Sequence, residues 1–334
     1  MMKTGLTVGV QVVCLLIWGG MIAGCGAKKD DGGKTQDSLA TTIPTGALFN
    51  IDSVQQEIDN AIQFQRQELR SEPEKINGYL SRLNVKDPMS IPLAIHFIEG
   101  YPESPGASVY DTLYTEFTAA YYQTSLLFDS IMNVEPYVSI LNKQYNAPQD
   151  DQLKNLRSYF DLYSVKPGEE EGGYVAEPDP DLFFNVFGKK ASPALQDYLV
   201  LRKKELAEGF SIDAGMLITF PQLYERIESW SQFLKDHPGH MLTQDALDYY
   251  SMYLRTLLVG MDNTPAFEDG VLTAHVRKLF ENIRQQGKDS VSRQVVSDYY
   301  EQLSKSGFKD NEKHYQFLDN YNLREAFNVA TIKD

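Results

Sequence analysis

Apolar residues recur along the chain at intervals of three and four positions, which is the spacing of one face of an α-helix. In the stretch 108–132, for example, Tyr110, Leu113, Phe117 and Tyr121 form such a face. Similar stripes cover most of the chain from residue 51 onward, and few stretches alternate with the two-residue period of a strand. The pattern therefore predicts an all-α fold, either an irregular multi-helix bundle or a helical layer.

Helix-start and helix-stop signals, the last of which delimit a helix over roughly 311–328, divide this helical pattern into two regions. Between them, three glutamates and two glycines at 169–173 are typical of a solvated loop rather than a metal site. We also keep the alternative that the two regions belong to one domain. The expected division is an N-terminal helical region at 51–166, a linker at 167–180 and a C-terminal helical region at 181–334.

The first 24 residues differ from the rest of the chain. A single charge, Lys3, precedes an apolar run over 6–22. This layout is typical of a secretory signal, and the run is barely long enough for the alternative, a transmembrane helix. The run ends in a motif that resembles the lipobox of bacterial lipoproteins, with residues Ile22, Ala23, Gly24 and Cys25. The resemblance implies a signal peptide at 1–24 and a mature chain whose first residue, Cys25, carries the lipid.

Residues 25–50 are rich in Gly, Lys, Asp, Ser and Thr, a composition that predicts a flexible tether. Within this tether, Lys29, Asp30 and Asp31 form a string that resembles the short signal carrying some lipoproteins across the outer membrane. The resemblance implies an outer-membrane lipid anchor on Cys25, with the cell surface favoured over the periplasmic face. A plain soluble tether is the alternative.

Charge and cysteine content limit the classes of partner and chemistry. The 334 residues carry a formal net charge of −15, which argues against nucleic acid or an anionic membrane surface as a partner. The two cysteines are Cys14, within the predicted signal peptide, and Cys25. The mature chain would therefore have no thiol for a disulfide, a zinc site or a nucleophile. Because the sequence contains no phosphate loop and no catalytic His-Glu-x-x-His motif, we expect no cofactor.

His96 and Glu99 are the candidate metal ligands. On a helix, side chains at positions i and i+3 lie on the same face and could bind one ion. The pair resembles part of the Gly-x-His-x-x-Glu motif of the imelysin family, helical envelope proteins that include lipoproteins, although Ala94 occupies the glycine position. The resemblance implies handling of metal or haem, and the alternative is a histidine near a helix end. A second pair, His237 and His240, lacks a third ligand nearby.

A pattern of Asp, then Ser or Thr, then an aliphatic residue occurs more often than the roughly one match that composition predicts. It resembles the O-glycosylation sequon of exported proteins in some outer-membrane bacteria, and helix capping is the competing explanation. Ser38 lies in the tether, where it has no helix to cap, so we predict it as the glycosylation site. The matches begin at Asp37, Asp52, Asp111, Asp129 and Asp289.

The sequence therefore favours a lipid-anchored, non-enzymatic cell-envelope protein that binds or scaffolds a protein, peptide or glycan. The first alternative is an imelysin-like protein that handles metal or haem through His96 and Glu99. The second alternative is a hydrolase that uses carboxylates as its acid and base, since the mature chain would have no thiol and few histidines. The membrane partner is contacted through the lipid on Cys25.

Overall fold

Helices dominate the computed structural model, which describes residues 48–327 except 103–105, 171, 318 and 320. Within these residues, strands occur only as two-stranded antiparallel hairpins. The prediction of an all-α multi-helix fold is therefore confirmed. Gly46–Asp334 forms one compact unit, and one hydrophobic core cluster contains residues from both predicted helical regions.

The α-helices range from four residues to the 26 residues of the central helix. Two short 3-10 helices lie at Pro73–Ile76 and Leu80–Arg82. The strands are β1 (Val165–Glu170), β2 (Gly173–Pro178), β3 (Ser211–Ile212), β4 (Gly215–Met216), β5 (Gly260–Met261), β6 (Thr264–Pro265), β7 (Phe267–Glu268) and β8 (Val271–Leu272). The α-helices are α1 (Ile51–Ser71), α2 (Ser90–Glu99), α3 (Ala107–Met132), α4 (Tyr137–Leu141), α5 (Lys143–Asn146), α6 (Asp151–Asp161), α7 (Leu182–Phe187), α8 (Pro193–Glu208), α9 (Phe220–Asp236), α10 (Thr243–Val259), α11 (Ala274–Gln285), α12 (Val291–Lys305), α13 (Glu312–Tyr315) and α14 (Leu323–Ala326).

The helix α3 forms the centre of the N-terminal half. Its predicted apolar face is buried, with Phe117 fully inaccessible and Tyr110 and Tyr121 at 1% exposure. The phenol of Tyr121 donates a hydrogen bond to the carbonyl oxygen of Ser164 at 2.8 Å, so its ring packs inside while its hydroxyl fixes the loop between α6 and β1. The periodicity that predicted this helix therefore also identified its core face.

The segment 167–180 is not the linker that the sequence predicted. Strands β1 and β2 pair there in antiparallel register, and the buried ring of Tyr174 anchors the hairpin in the core. One side chain of α3 and one at its C-terminal cap hold the second strand: Asp129 Oδ1 accepts from the Ala176 N–H at 2.6 Å, and Asn133 Oδ1 accepts from the Tyr174 N–H at 2.8 Å. The prediction was wrong because the acidic, glycine-rich turn dominated the local composition and hid the buried positions on either side.

Short hairpins connect the helices of the C-terminal half. The strands β3 and β4 join α8 to α9, and β5 to β8 join α10 to α11. The turn at Asn263 contacts the neighbouring hairpin, because its N–H donates to the carbonyl oxygen of Ala214 at 3.0 Å. Gly260 begins β5 with a φ of +80°, and a Cβ there would lie 2.2 Å from the Ala266 nitrogen. Glycine is therefore required at this close approach of two backbones.

The sequence predicted a single helix over 311–328, but the described residues form two short helices there. Asn311 caps α13 by accepting from the Lys313 N–H at 3.0 Å, and Asn322 caps α14 by accepting from the Glu325 N–H at 3.2 Å. Asparagine side chains compete with the helical backbone for hydrogen bonds and favour caps over helix interiors. The described residues between the two helices form no α-helix, and Asp319 among them pairs with Arg255 of α10.

Candidate binding site

An open recess of about 420 Å³ lies between α10 and the irregular segment that leads into α14. Most of its lining is polar, and side chains of opposite charge face each other across it. Its volume lies in the range of small-molecule sites, and its hydrogen-bonding groups suit a polar solute. Its principal polar residues are Gln244, Asp248 and Ser251 of α10, and Asp319, Tyr321 and Arg324 of the C-terminal segment.

One continuous set of hydrogen bonds connects the two walls of the recess. The Gln244 amide nitrogen donates to Asp248 Oδ1 at 2.7 Å, and the Gln244 amide oxygen accepts from Arg324 Nη2. The other terminal nitrogen of this guanidinium, Arg324 Nη1, is buried and has no hydrogen-bond partner in the described part of the chain. A buried charged donor without a partner is costly, and a bound anion would remove that cost.

The carboxylates beside the recess have raised pKa values. Burial raises the pKa of Asp248, and the hydrogen bond from Gln244 and the charge of Arg324 offset part of that rise. Burial, together with the charge of Asp248, raises the pKa of Asp245 to about 6, against the opposing charge of Arg202. The two aspartates are three positions apart on α10 and therefore lie on the same side of the helix. Positively charged groups of a ligand would stabilise their ionised forms.

A buried polar network lies beside the recess, where α8, α9 and α10 meet. Glu205 accepts from Arg202 Nη1 at 2.7 Å and from the Trp230 indole N–H at 2.5 Å. The Arg202 guanidinium also lies 4.1 Å from the centre of the Tyr249 ring, a cation–π distance. Because Tyr249 belongs to α10, this network fixes the helix that forms one wall of the recess. The polar groups of this network are already paired with one another, so the network positions α10 and leaves ligand binding to the recess.

A second, wider recess of about 630 Å³ lies on the exposed face of α1. Its described lining includes Arg66 and Arg70 and comes from a single helix. One helix cannot enclose a ligand, so this recess is a surface groove despite its larger volume. The smaller recess on α10 is the better candidate because two separate segments form its walls.

The predicted metal ligands have other partners. His96 Nε2 accepts a hydrogen bond from Arg66 Nε at 2.6 Å, so its lone pair is engaged. Burial and the charge of Arg66 lower the pKa of His96, against the opposing charge of Glu99. Glu99 is exposed, and its backbone carbonyl oxygen accepts a hydrogen bond from Lys190 Nζ at 2.8 Å. Within the described residues, no group of three His, Cys, Asp or Glu side chains converges on a possible metal position.

The histidines of the 237–240 turn do not face a common ion. His237 pairs with Asp197 Oδ2 at 2.9 Å, whereas His240 Nε2 lies 3.1 Å from Asp111 Oδ2. Because His240 Nδ1 accepts from the Leu242 N–H at 3.3 Å, its Nε2 carries the proton and donates it to Asp111. Asp111 Oδ1 also accepts from the N–H that begins α8. This carboxylate therefore holds α3, α8 and the turn before α10 together.

The lipobox residues Ile22, Ala23, Gly24 and Cys25 and the glycosylation candidate Ser38 lie outside the described residues. Their roles therefore stay predictions. Across the part of the chain that the structure covers, none of the helices has the length and apolar character needed to span a bilayer.

Sequence reasoning did not identify Gln244, Asp248 or Arg324 as site residues. The only local signal was the i, i+4 spacing of Gln244 and Asp248, which is common on helix surfaces. Comparison with known proteins adds no further candidate, because no family model, curated protein or solved structure matches the chain.

Proposed function

We propose that this protein is a lipid-anchored cell-envelope protein that binds a small polar solute without chemically altering it. The recess between α10 and the C-terminal segment is the observation that carries this proposal. It has a volume suited to a small molecule and contains a buried guanidinium nitrogen without a hydrogen-bond partner among the described residues. This proposal is a narrower form of the function expected from the sequence, which is binding of a protein, peptide or glycan at the envelope.

The anchoring part of the proposal is supported by the lipobox-like motif that ends at Cys25. In the native host, Cys25→Ala should abolish lipid attachment and leave uncleaved precursor, measured by intact mass and by partition into detergent. Protease treatment of whole cells should then distinguish the cell surface from the periplasmic face. Unchanged cleavage and detergent partition in the variant would contradict the anchor.

The binding part can be tested by filling the recess. Ser251 lies on α10 and lines the recess, so Ser251→Trp places an indole in it. The Ser251 hydroxyl donates to the Leu247 carbonyl oxygen at 2.6 Å. Ser229→Trp is the matched control, because Ser229 is also a partly exposed helical serine that donates to the carbonyl four residues earlier. A library of amino acids, dipeptides and sugars is screened by thermal shift on the full chain in detergent.

A solute present at a hundred times its Kd should stabilise the parent by about 2.7 kcal/mol, which corresponds to several degrees in Tm. We expect Ser251→Trp to lose this shift and Ser229→Trp to keep it. If no solute stabilises the parent, or if Ser251→Trp retains the shift, the recess is not the binding site.

A carboxylate-based hydrolase is the second candidate, and the environment of Asp245 favours it. Its pKa of about 6, beside the ionisable Asp248, resembles the paired carboxyl groups that serve as acid and base. Hydrolysis of chromogenic glycosides or esters with a pH limb near 6, lost in Asp245→Asn and retained in Asp236→Asn, would support it. A parent protein without such turnover would leave binding as the function.

A further inference from the structure

Two charged groups of the recess, Arg324 and Asp248, are separated by a single amide, and the third, Asp319, pairs with Arg255. Gln244 bonds to Arg324 through its oxygen and to Asp248 through its nitrogen. The guanidinium and the carboxylate are therefore held about one amide group apart. Arg324 Nη1 has no partner among the described residues. Asp248 is an exposed residue that accepts from Gln244 through Oδ1, so Oδ2 is its second acceptor. Beside the Asp319 pair, the recess thus presents a positively charged donor and a negatively charged acceptor at a short separation.

We propose that this recess binds the zwitterionic backbone of an amino acid or dipeptide, a ligand class that rests on the binding function proposed above. The ligand carboxylate accepts from Arg324 Nη1, and its ammonium group donates to Asp248 Oδ2. Charge-assisted hydrogen bonds of this kind are stronger than bonds between neutral groups. Leu247 and Leu323, which also line the recess, provide apolar contact for the ligand side chain.

Other small polar ligands satisfy only part of this arrangement. A neutral sugar offers hydroxyls to Asp248 but no anion to the buried nitrogen of Arg324. A uronic acid offers a carboxylate to Arg324 but brings no positive charge to Asp248. Because unpaired charges in a partly desolvated site reduce affinity, both classes should bind more weakly than a zwitterion.

The test measures affinity for L-alanyl-L-alanine by isothermal titration calorimetry, using the full chain in detergent. The N-acetylated and C-amidated dipeptides and D-galacturonate are the comparison ligands. We expect the parent to bind the dipeptide and to bind each blocked form roughly tenfold or more weakly, since one charge-assisted bond is lost in each.

Two recess variants assign each end of the ligand. Arg324→Gln should bind the dipeptide about tenfold more weakly and should no longer discriminate against the C-amide. Asp248→Asn should weaken binding similarly and should no longer discriminate against the N-acetyl form. The control Asp236→Asn removes an equivalent bond, because Gln232 Nε2 donates to Asp236 at 2.7 Å on α9. Together with Arg70→Gln on the exposed face of α1, it should bind like the parent.

Several results would overturn the amino-acid assignment. Absence of dipeptide binding, tighter binding of D-galacturonate, or binding that ignores both blocking groups would each do so. If one of these results occurs while another solute stabilises the parent and no longer stabilises Ser251→Trp, the recess binds a different ligand class and the proposed function stands. If no solute responds to Ser251→Trp, the proposed function fails as well.

Discussion

The substitution Glu205→Leu tests the buried network that fixes α10. The side chain of Glu205 is 5% exposed and accepts hydrogen bonds from both Arg202 and Trp230. Leucine is similar in size and keeps the helix, but it offers no acceptor. The change therefore leaves a guanidinium and an indole N–H without their shared carboxylate.

The magnitude follows from burial. The side chain of Arg202 is only 15% exposed, and Trp230 is fully inaccessible. Removing one partner of a buried ion pair costs about 3–5 kcal/mol, and a buried unsatisfied N–H alone costs about 1–3 kcal/mol. Because the two costs overlap, we expect a loss of about 3–5 kcal/mol. The double variant Arg202→Met, Glu205→Leu should recover about 2 kcal/mol of it, leaving about 1–3 kcal/mol for the indole N–H.

The assay uses tryptophan fluorescence. The two tryptophans are Trp18, within the predicted signal peptide, and Trp230. In the processed chain, fluorescence would therefore report on this network directly, while far-UV circular dichroism reports on the whole helical fold. Urea unfolding is followed by both signals. A loss below about 1 kcal/mol in Glu205→Leu, or a double variant less stable than the single one, would refute the reasoning.

Three further predictions concern other parts of the chain. Asp245→Asn should raise stability by up to about 3 kcal/mol at pH 7.5 and have little effect at pH 3, because folding raises this pKa to about 6 and the penalty on the ionised carboxyl grows as pH rises from the unfolded pKa to about 6; the same urea midpoint for variant and parent at pH 7.5 would contradict this. Gly260→Ala should cost about 1–3 kcal/mol, and Gly270→Ala, which meets no atom within 4 Å, should cost less by thermal unfolding. Intact mass of native-host protein should show a glycan that is lost in Ser38→Ala; identical unmodified masses would contradict this.

The helical fold was predictable because its signal is local. In α3 the apolar residues repeat with the helical period, and the structure buries the predicted rings of Tyr110, Phe117 and Tyr121. The same helix shows where local patterns mislead. Two matches to the glycosylation pattern begin at Asp111 and Asp129, and each aspartate accepts a backbone hydrogen bond from a distant segment. Their presence in the sequence is explained by these tertiary contacts, which no short motif could show.

The recess was not predictable for the same physical reason. Asp248 and Arg324 are far apart in sequence, and they come together only because the chain after α12 crosses α10. Side-chain caps at Asn311 and Asn322 break the helix that the apolar pattern predicted there. The prediction of a linker at 167–180 was wrong for the opposite reason, because a polar turn concealed a hairpin that is held by Asp129 of α3. In both places, a contact between distant parts of the chain determined the local conformation.

One wall of the recess is formed by the segment around Tyr321 and Arg324, close to the end of the chain. Detaching this segment from α10 would remove the wall and leave α10 folded, so solute binding and docking of the segment are thermodynamically linked. A bound solute must therefore protect this segment from proteases that cleave its undocked form, by the same factor by which docking increases affinity. Wherever proteases reach the protein, occupancy of the recess would determine how long the binding-competent form of the molecule persists.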